Sequence, residues 1–356
     1  MQEKAHSIEA VIEKHCAFWE RSNEQAVLQQ VPFVRWRTKP YPLKGGDIVD
    51  VQQIVPSEIN TAKFLGLRKP IPDLHYGNRI DCVMPLYPQA WMSGIIGCPI
   101  CASGVSCSAL GAEYGDIAQA AEKFSVERAM KSDWYKYLQE CTDAIVGHAD
   151  GKIAASQFHL RGIVDMLAAY FKEDVLCLAV YDYPDMIKQL ASKFTELYIE
   201  TAKSDIQKRG LWRGGNVISW GVYAPGELLS YQVDASNLFS RDMYEDLLLE
   251  FDAQIVAEFE YSLIHTHYTG LHVIESLVKI KELGCVQINL DREAVPEWSL
   301  DKVMQACKTV QDADKCVLIN GELSRDEVQT MLDALKPQGL MMLYWLPEDW
   351  NPLDIK

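Results

Sequence analysis

The chain has 356 residues and a formal net charge of −16, with 50 acidic and 34 basic side chains. A negative field of this size repels nucleic-acid backbones and anionic membrane surfaces, so we expect neither as a partner. Hydrophobic residues make up 48% of the chain, which is ordinary for a globular protein with a large core. Met1–Glu13 has no apolar signal segment, and every apolar run is far shorter than the ~20 residues of a membrane helix. We therefore expect a cytoplasmic protein.

Ten cysteines are scattered through the chain, and a reducing compartment would keep most of them as free thiols. Cys98 and Cys101 have the CxxC spacing of redox and metal sites, but no second such pair accompanies them. We expect these two side chains to pack beneath a loop, with a redox or metal role as the alternative.

Residues 1–45 are predicted to form a helix and an extended arm in front of the main domain. Apolar residues at helical spacing predict an amphipathic helix over Glu3–Gln30. In the extended segment that follows, Arg35 and Arg37 alternate onto one side. Their planar guanidinium groups suit a substrate carboxylate or phosphate, so we name both as candidate substrate-binding residues. A surface salt bridge is the alternative for each.

From Asp81 onward, strand patterns alternate with helix patterns. The predicted strands are Cys82–Tyr87, Lys152–Phe158, Val217–Tyr223, Tyr231–Ala235, Ser262–Ile264, Cys285–Leu290, Cys316–Ile319 and Leu340–Tyr344. The helical patterns are Asp165–Ser204, broken near Tyr183, then Arg241–Phe259, Leu271–Leu283, Leu300–Gln311 and Arg325–Leu335. Eight such units predict an α/β fold of the (β/α)8 TIM-barrel type, with residues 1–356 as one domain. One connection, Ala224–Ser230, is too short for a crossover helix.

Two histidines follow the predicted strand Ser262–Ile264. Side chains two residues apart in a strand point to the same side, so His265 and His267 should project together where the strand ends. Two adjacent imidazoles are a metal pair, an acid/base pair or a polar lining for an anionic substrate. The alternative is one structural histidine and one solvated histidine.

In a TIM barrel, the active site lies at the carboxyl ends of the strands. The strand ends of this chain are polar and aromatic, unlike the apolar strand bodies behind them. From this set we predict six substrate-binding residues, which are Trp91, Gln157, His159, Trp220, Tyr223 and Gln287. Asp234, at another strand end, is a candidate catalytic residue together with His265 and His267.

Several segments resemble the uroporphyrinogen decarboxylase-like superfamily. They are His15–Trp19, Trp91–Ile100, Leu160–Leu167, Asp234–Tyr244, Ile264–Gly270 and Gly339–Leu340. The resemblance covers most of the chain in order and spacing. It implies a TIM barrel with an N-terminal helical extension, and its dimeric members suggest a homodimer.

The superfamily includes decarboxylases and corrinoid-dependent methyltransferases. True uroporphyrinogen decarboxylases grip substrate carboxylates with an N-terminal Arg-Gln-Ala-Gly-Arg motif, whereas this chain has only Arg35-Trp36-Arg37 in that region. The methyltransferases hold zinc with His-x-Cys and a later Cys. The corresponding positions here resemble His265 and His267 and, on a later strand, Glu322. The resemblance therefore implies a zinc site of His265, His267 and Glu322.

A zinc ion without thiolate ligands is a harder Lewis acid that suits an ether or alcohol oxygen. We hypothesise methyl transfer from a small O-methyl substrate to a corrinoid supplied by a partner protein. One alternative is metal-free decarboxylation of a tetrapyrrole or other polycarboxylate, with Asp234 or a histidine acting on the carbanion. Another is a non-catalytic barrel that binds a tetrapyrrole or a corrinoid protein.

Overall fold

The computed structural model describes residues 7–31, 40–67, 71–87, 89–104 and 107–347. The strands are β1 (Val27–Gln30), β2 (Gln52–Ile54), β3 (His75–Tyr76), β4 (Arg79–Ile80), β5 (Cys82–Val83), β6 (Ile100–Ala102), β7 (Cys107–Ala109), β8 (Ala154–Ala155), β9 (Leu160–Arg161), β10 (Asn216–Val217), β11 (Tyr223–Ala224), β12 (Leu228–Gln232), β13 (Tyr261–His267), β14 (Cys285–Asn289), β15 (Cys316–Glu322) and β16 (Leu340–Trp345). The α-helices are α1 (Ile8–Trp19), α2 (Thr61–Leu65), α3 (Trp91–Ile95), α4 (Ala120–Lys123), α5 (Val126–Ala129), α6 (Asp133–Ala149), α7 (Ile163–Phe171), α8 (Glu173–Asp182), α9 (Pro184–Arg209), α10 (Arg241–Leu247), α11 (Leu249–Val256), α12 (Ile274–Leu277), α13 (Leu300–Asp312) and α14 (Arg325–Ala334).

A seven-stranded parallel sheet lies at the centre, in the order β1-β16-β15-β14-β13-β12-β9. Strands β5 and β8 form a separate parallel pair. The side-chain amide of Asn78 donates to the carbonyl of Leu28 at 2.7 Å, which brings the segment before β5 against β1. The molecule is therefore a mixed α/β protein with a parallel central sheet, and its closure into an eight-stranded barrel stays a prediction.

The central strands are buried on both faces, as expected for a parallel sheet covered by helices. Residues 285–288 of β14 and 316–319 of β15 are all buried. The neighbouring helices begin at residues that cap them. Ser324 accepts a hydrogen bond from the backbone of Glu327 at the start of α14, where the Glu327 side chain completes a capping box.

Several sequence predictions about the strands differ from the structure. The predicted strands Cys82–Tyr87 and Lys152–Phe158 are reduced to β5 and β8, two residues each, which pair with each other outside the seven-stranded sheet. The predicted helix Glu3–Gln30 ends at Trp19 within the described residues, and its last part forms strand β1 instead. The predicted strand Val217–Tyr223 is no member of the central sheet, because β10 and β11 pair antiparallel around a tight turn. Gly221, at a φ of 71°, donates to the carbonyl of Ile218 and reverses the chain. This hairpin removes the need for a crossover helix before β12.

Helix α1 covers the amino end of the sheet. Phe18 and Trp19 pack in one cluster with Cys285 and Cys316, the first residues of β14 and β15. The Trp19 indole donates to the carbonyl of Tyr223 at 2.8 Å. With the amino end covered, the carboxyl ends of the strands are left to form a site.

The ten cysteines are all free thiols. Cys98 and Cys101 are both buried, and neither belongs to the group of metal-ligating side chains found among the described residues. Within the described ranges, no helix has the length and apolar character that crossing a membrane would need.

Candidate metal centre and its cavity

Three side chains converge at the carboxyl ends of β12 and β13. His265 and His267 are in the last three residues of β13, where the alternation of the strand turns both to one side. Asp234 begins a 3₁₀ helix two residues after β12 ends. Because β12 pairs with β13 and Gln232 is in register with His265, this turn brings Asp234 to the imidazoles.

The facing atoms of these three residues form a small triangle. The Nε2 atoms of His265 and His267 are 3.2 Å apart, and Oδ1 of Asp234 lies 3.4 Å and 3.6 Å from them. A tetrahedral zinc ion at ordinary bond lengths separates its ligand atoms by about 3.3–3.6 Å. Oδ1 of Asp234 is also buried without a hydrogen-bond partner among the described residues. The residues present therefore fit a tetrahedral cation with a fourth position left for another ligand.

Two residues from the β14 side fix the orientation of the imidazoles. Nδ1 of His265 is hydrogen-bonded to Oε1 of Gln287, its register partner on β14. Nδ1 of His267 donates to Oδ2 of Asp291 at 2.8 Å. Since both Nδ1 atoms are engaged, the Nε2 atoms are the ones available at the triangle. The Trp220 ring stacks on His265, with 5.4 Å between ring centroids and 25° between planes.

Carboxylates on two sides control the charge of His267. Burial lowers the pKa of this imidazole, but the nearby carboxylate of Asp234 and the hydrogen-bonded carboxylate of Asp291 outweigh burial and raise its pKa to about 10. Burial would raise the pKa of Asp234, yet the close imidazoles of His267 and His265 bring it below its ordinary value. A metal ion and a proton compete for the same Nε2 lone pair.

A buried carboxylate on α7 holds the turn that carries Asp234. Asp165 accepts hydrogen bonds from the backbone N–H of Asp234 at 3.1 Å and of Ala235 at 2.8 Å. Burial and the negative charge of Asp234 raise the pKa of Asp165. This clamp ties the start of the 3₁₀ helix to α7, so the position of Asp234 depends on both elements.

A cavity of about 370 Å³ opens beside Asp234. Its wall combines apolar, aromatic and polar side chains, which are Met84, Pro85, Leu86, Tyr87, Gln89, Trp91, Gln157, Phe158, His159, Arg161, Ser219, Gln232 and Asp234. Nε2 of His159 is 3.0 Å from the hydroxyl of Ser219. Burial lowers the pKa of His159 to about 4, so the ring is neutral near pH 7.

The structure brings most of the predicted residues to this region. Trp91, Gln157 and His159 line the cavity, and Trp220 contacts the rings of both His159 and His265. Gln287 lies behind His265 and orients it, so it acts on the imidazole rather than on the cavity wall.

Two predicted residues lie elsewhere. Tyr223 is buried against Ile8 and Val11, and its hydroxyl donates to the carbonyl of Arg213, so it is a core residue beside α1. Glu322 ends β15, which is separated from β13 by β14, and the group that could hold a metal does not include it.

The third member of the group is therefore Asp234, which follows β12, the strand on the other side of β13. The predicted substrate-binding residues Arg35 and Arg37 lie outside the described residues.

Sequence reasoning missed Arg161 and Asp165, and it placed Asp291 at a strand end of the expected pocket without assigning it a role. Asp291 stands one residue after a predicted strand, but nothing in its spacing links it to His267. Asp165 sits in a helical pattern, where an isolated acidic residue suggests a solvated face. Arg161 follows His159 by two residues, which was the one available signal for a second polar side chain at that strand end.

No protein-family model matches this chain, and no curated protein matches its sequence. Among solved structures, the chain is similar to a methyltransferase from Methanosarcina mazei. The TM-score is 0.59 and the sequence identity 10%, and the match covers 96% of this chain and 93% of that chain. The likeness extends over the whole α/β architecture and shows a shared fold.

Proposed function

We propose that this protein is a zinc-dependent methyltransferase that removes a methyl group from a small O-methyl substrate. The observation that carries the proposal is the triangle of Asp234, His265 and His267, whose edges of 3.2 to 3.6 Å match a tetrahedral ion. The fold shared with a solved methyltransferase supports the same reaction class. So do the segments that resemble the uroporphyrinogen decarboxylase-like superfamily.

The protein's own residues would bind and orient the substrate. Trp91 and Phe158 give the cavity an apolar wall for the body of the substrate, and Asp234 links the cavity to the metal-ligating group. Neutral His159, held against Ser219, offers a polar contact without adding charge. A zinc ion, when bound, supplies a Lewis acid that stabilises the negative charge on the leaving oxygen.

The transfer breaks the bond between the methyl carbon and the substrate oxygen, and both electrons of that bond stay on the oxygen. The oxygen then takes a proton from water. We propose that the methyl acceptor is a reduced corrinoid carried by a partner protein, which supplies the electron pair for the new bond. This acceptor rests on the superfamily resemblance.

Zinc content tests the ligand set directly. The purified protein should contain about one zinc per chain. His265→Ala, His267→Ala and Asp234→Ala should each lose it, because each removes one corner of the triangle. Glu322→Ala is the matched control and should keep its zinc. Retention of zinc by Asp234→Ala together with its loss from Glu322→Ala would overturn this ligand set.

Methyl transfer tests the reaction. A methoxylated substrate should convert cob(I)alamin to its methylated form, followed by its visible spectrum, and the three zinc-free variants should be inactive. Release of carbon dioxide from a polycarboxylate in the absence of any corrinoid would contradict the proposal and support decarboxylation.

A further inference from the structure

One cation faces the cavity without a hydrogen-bonded partner among the described residues, and its charge lies near the carboxyl groups of Asp165 and Asp234. Arg161 is the last residue of β9 and lines the cavity beside His159 and Asp234. Within the described ranges, no hydrogen bond or ion pair joins its guanidinium to another residue. A half-buried guanidinium without a partner has five donors free for a ligand.

The neighbouring acidic groups lie near the Arg161 charge but form no hydrogen bond or ion pair with it among the described residues. Both carboxylate oxygens of Asp165 accept backbone hydrogen bonds, and Oδ1 of Asp234 faces the two imidazoles. His159 is neutral near pH 7 because burial lowers its pKa to about 4. Arg161 is therefore the positive charge that this cavity wall offers to a ligand.

We infer that Arg161 binds a carboxylate of the substrate, which makes the substrate a small O-methylated carboxylic acid. This inference rests on the proposed function for the O-methyl group but not for the anion. A carboxylate matches the planar fork of a single arginine, whereas phosphate sites usually gather several donors. A cavity of about 370 Å³ lined by Trp91, Phe158 and Leu86 suits a body of one aromatic ring.

Two probes of similar shape, one charged and one neutral, distinguish binding of the carboxylate from binding of the aromatic ring. We would titrate the zinc-loaded full-length protein with 4-methoxybenzoate, with neutral 4-methoxybenzamide and with inorganic phosphate, using calorimetry. The wild-type protein should bind the benzoate about 10- to 100-fold more tightly than the amide, because a hydrogen bond to a charged group is stronger than one to a neutral group. Phosphate should compete weakly.

The variant Arg161→Gln should bind both probes with similar affinity, and its affinity for the amide and its zinc content should stay at the wild-type values. Lys172→Gln is the matched control, since Lys172 lies in the adjacent cavity and not on this wall. Because it also removes one positive charge, it exposes any general electrostatic effect. It should keep the preference for the benzoate.

The inference requires that Arg161, and not a metal ion, causes the preference for the benzoate. It would be overturned if Arg161→Gln kept the wild-type ratio of benzoate to amide affinity. It would also be overturned if the wild-type protein showed no preference, or bound neither probe at millimolar concentration. If the protein holds no zinc but still loses its preference in Arg161→Gln, the anion site stands and the proposed zinc chemistry fails.

Discussion

The Nδ1 atom of His267 lies 2.8 Å from Oδ2 of Asp291, and the same oxygen accepts the backbone N–H of Tyr268 at 3.1 Å. Its other carboxylate oxygen accepts from the side-chain amide of Asn289. Asp291 is thus fixed on both sides before it contacts the imidazole. An imidazole held by such a carboxylate presents a defined Nε2 lone pair.

Asp291→Asn should weaken zinc binding about 10- to 100-fold, because an amide orients His267 less strongly and makes its ring less basic. A chelator competition titration measures the affinity. Asp314→Asn is the control, since Asp314 pairs with Arg21 at an exposed surface. Equal zinc affinity in Asp291→Asn and wild type would contradict the role assigned to this carboxylate.

Asp165→Asn should release the turn that carries Asp234. The asparagine side chain has one acceptor oxygen, so it can accept only one of the two backbone hydrogen bonds. Its NH₂ group would face the other backbone N–H. We expect a loss of about 1–3 kcal/mol in the free energy of unfolding, with weaker zinc binding. Urea denaturation measures the first and chelator competition the second.

Asp116→Asn is the matched control for that variant, because Asp116 accepts an exposed backbone hydrogen bond from Ala118 and asparagine caps a helix equally well. If Asp165→Asn unfolds at the wild-type urea concentration, the clamp contributes nothing to stability.

Gly270 lies where the segments after β12 and β13 meet. A Cβ atom there would lie 2.3 Å from the hydroxyl of Thr266 and 2.9 Å from that of Ser236. Gly270→Ala should therefore push the two segments apart, costing about 1–3 kcal/mol of stability and lowering zinc affinity.

Gly147→Ala is the counterpart of that substitution. Gly147 lies inside α6 with nothing within 4 Å of its added Cβ, so alanine there should stabilise the protein by roughly 0.5–1 kcal/mol. Thermal unfolding compares the two variants. A Gly270→Ala protein as stable as Gly147→Ala would show that the packing at residue 270 is loose.

His15 should make stability depend on pH. Its Nδ1 accepts the backbone N–H of Tyr223 at 2.9 Å and its Nε2 donates to the carbonyl of Asn78 at 2.7 Å, so the buried ring is neutral. Burial lowers its pKa from 6.5 to about 4. The unfolded chain therefore binds the proton more readily, and stability is full above pH 6.5 and is lost as pH falls toward 4.

Lowering the pH from 7 to 5 should reduce the free energy of unfolding by about 2 kcal/mol through this histidine. The measurement is the free energy of unfolding at both pH values for the wild-type protein and for His15→Gln. The difference in the free energy of unfolding between the two proteins should be smaller at pH 5. Only the wild type has an imidazole at position 15 that takes up a proton when the chain unfolds at this pH. Parallel pH profiles would rule out His15 as the source.

Local pattern predicted much of this fold but little of its long-range pairing. Strands β13 to β16 begin within one residue of the positions that their apolar runs predicted. Strand β1 was missed because Val27–Gln30 continues a helical pattern, and only its pairing with β16 makes it extended. The pair His265 and His267 followed from the two-residue repeat of a strand, which needs no knowledge of neighbours.

The third member of the candidate metal group shows the limit of what the sequence predicts. Asp234 and Glu322 both lie near strand ends. The sequence alone does not show which of the two strands pairs with β13, or in which register. Strand order and the Asp165 clamp decide it. The pairing of β12 with β13 joins residues 33 positions apart, and the clamp joins residues 69 positions apart.

Residues 161–165 form a single short stretch from the end of β9 to the first turn of α7. It carries the cavity's cation at one end and, at the other, the carboxylate that holds the backbone of Asp234. Attempts to redesign substrate preference by grafting a new loop between this strand and helix would also shift Asp234. Selectivity is therefore better altered by single side-chain replacements elsewhere on the cavity wall, such as at Leu86 or Met84.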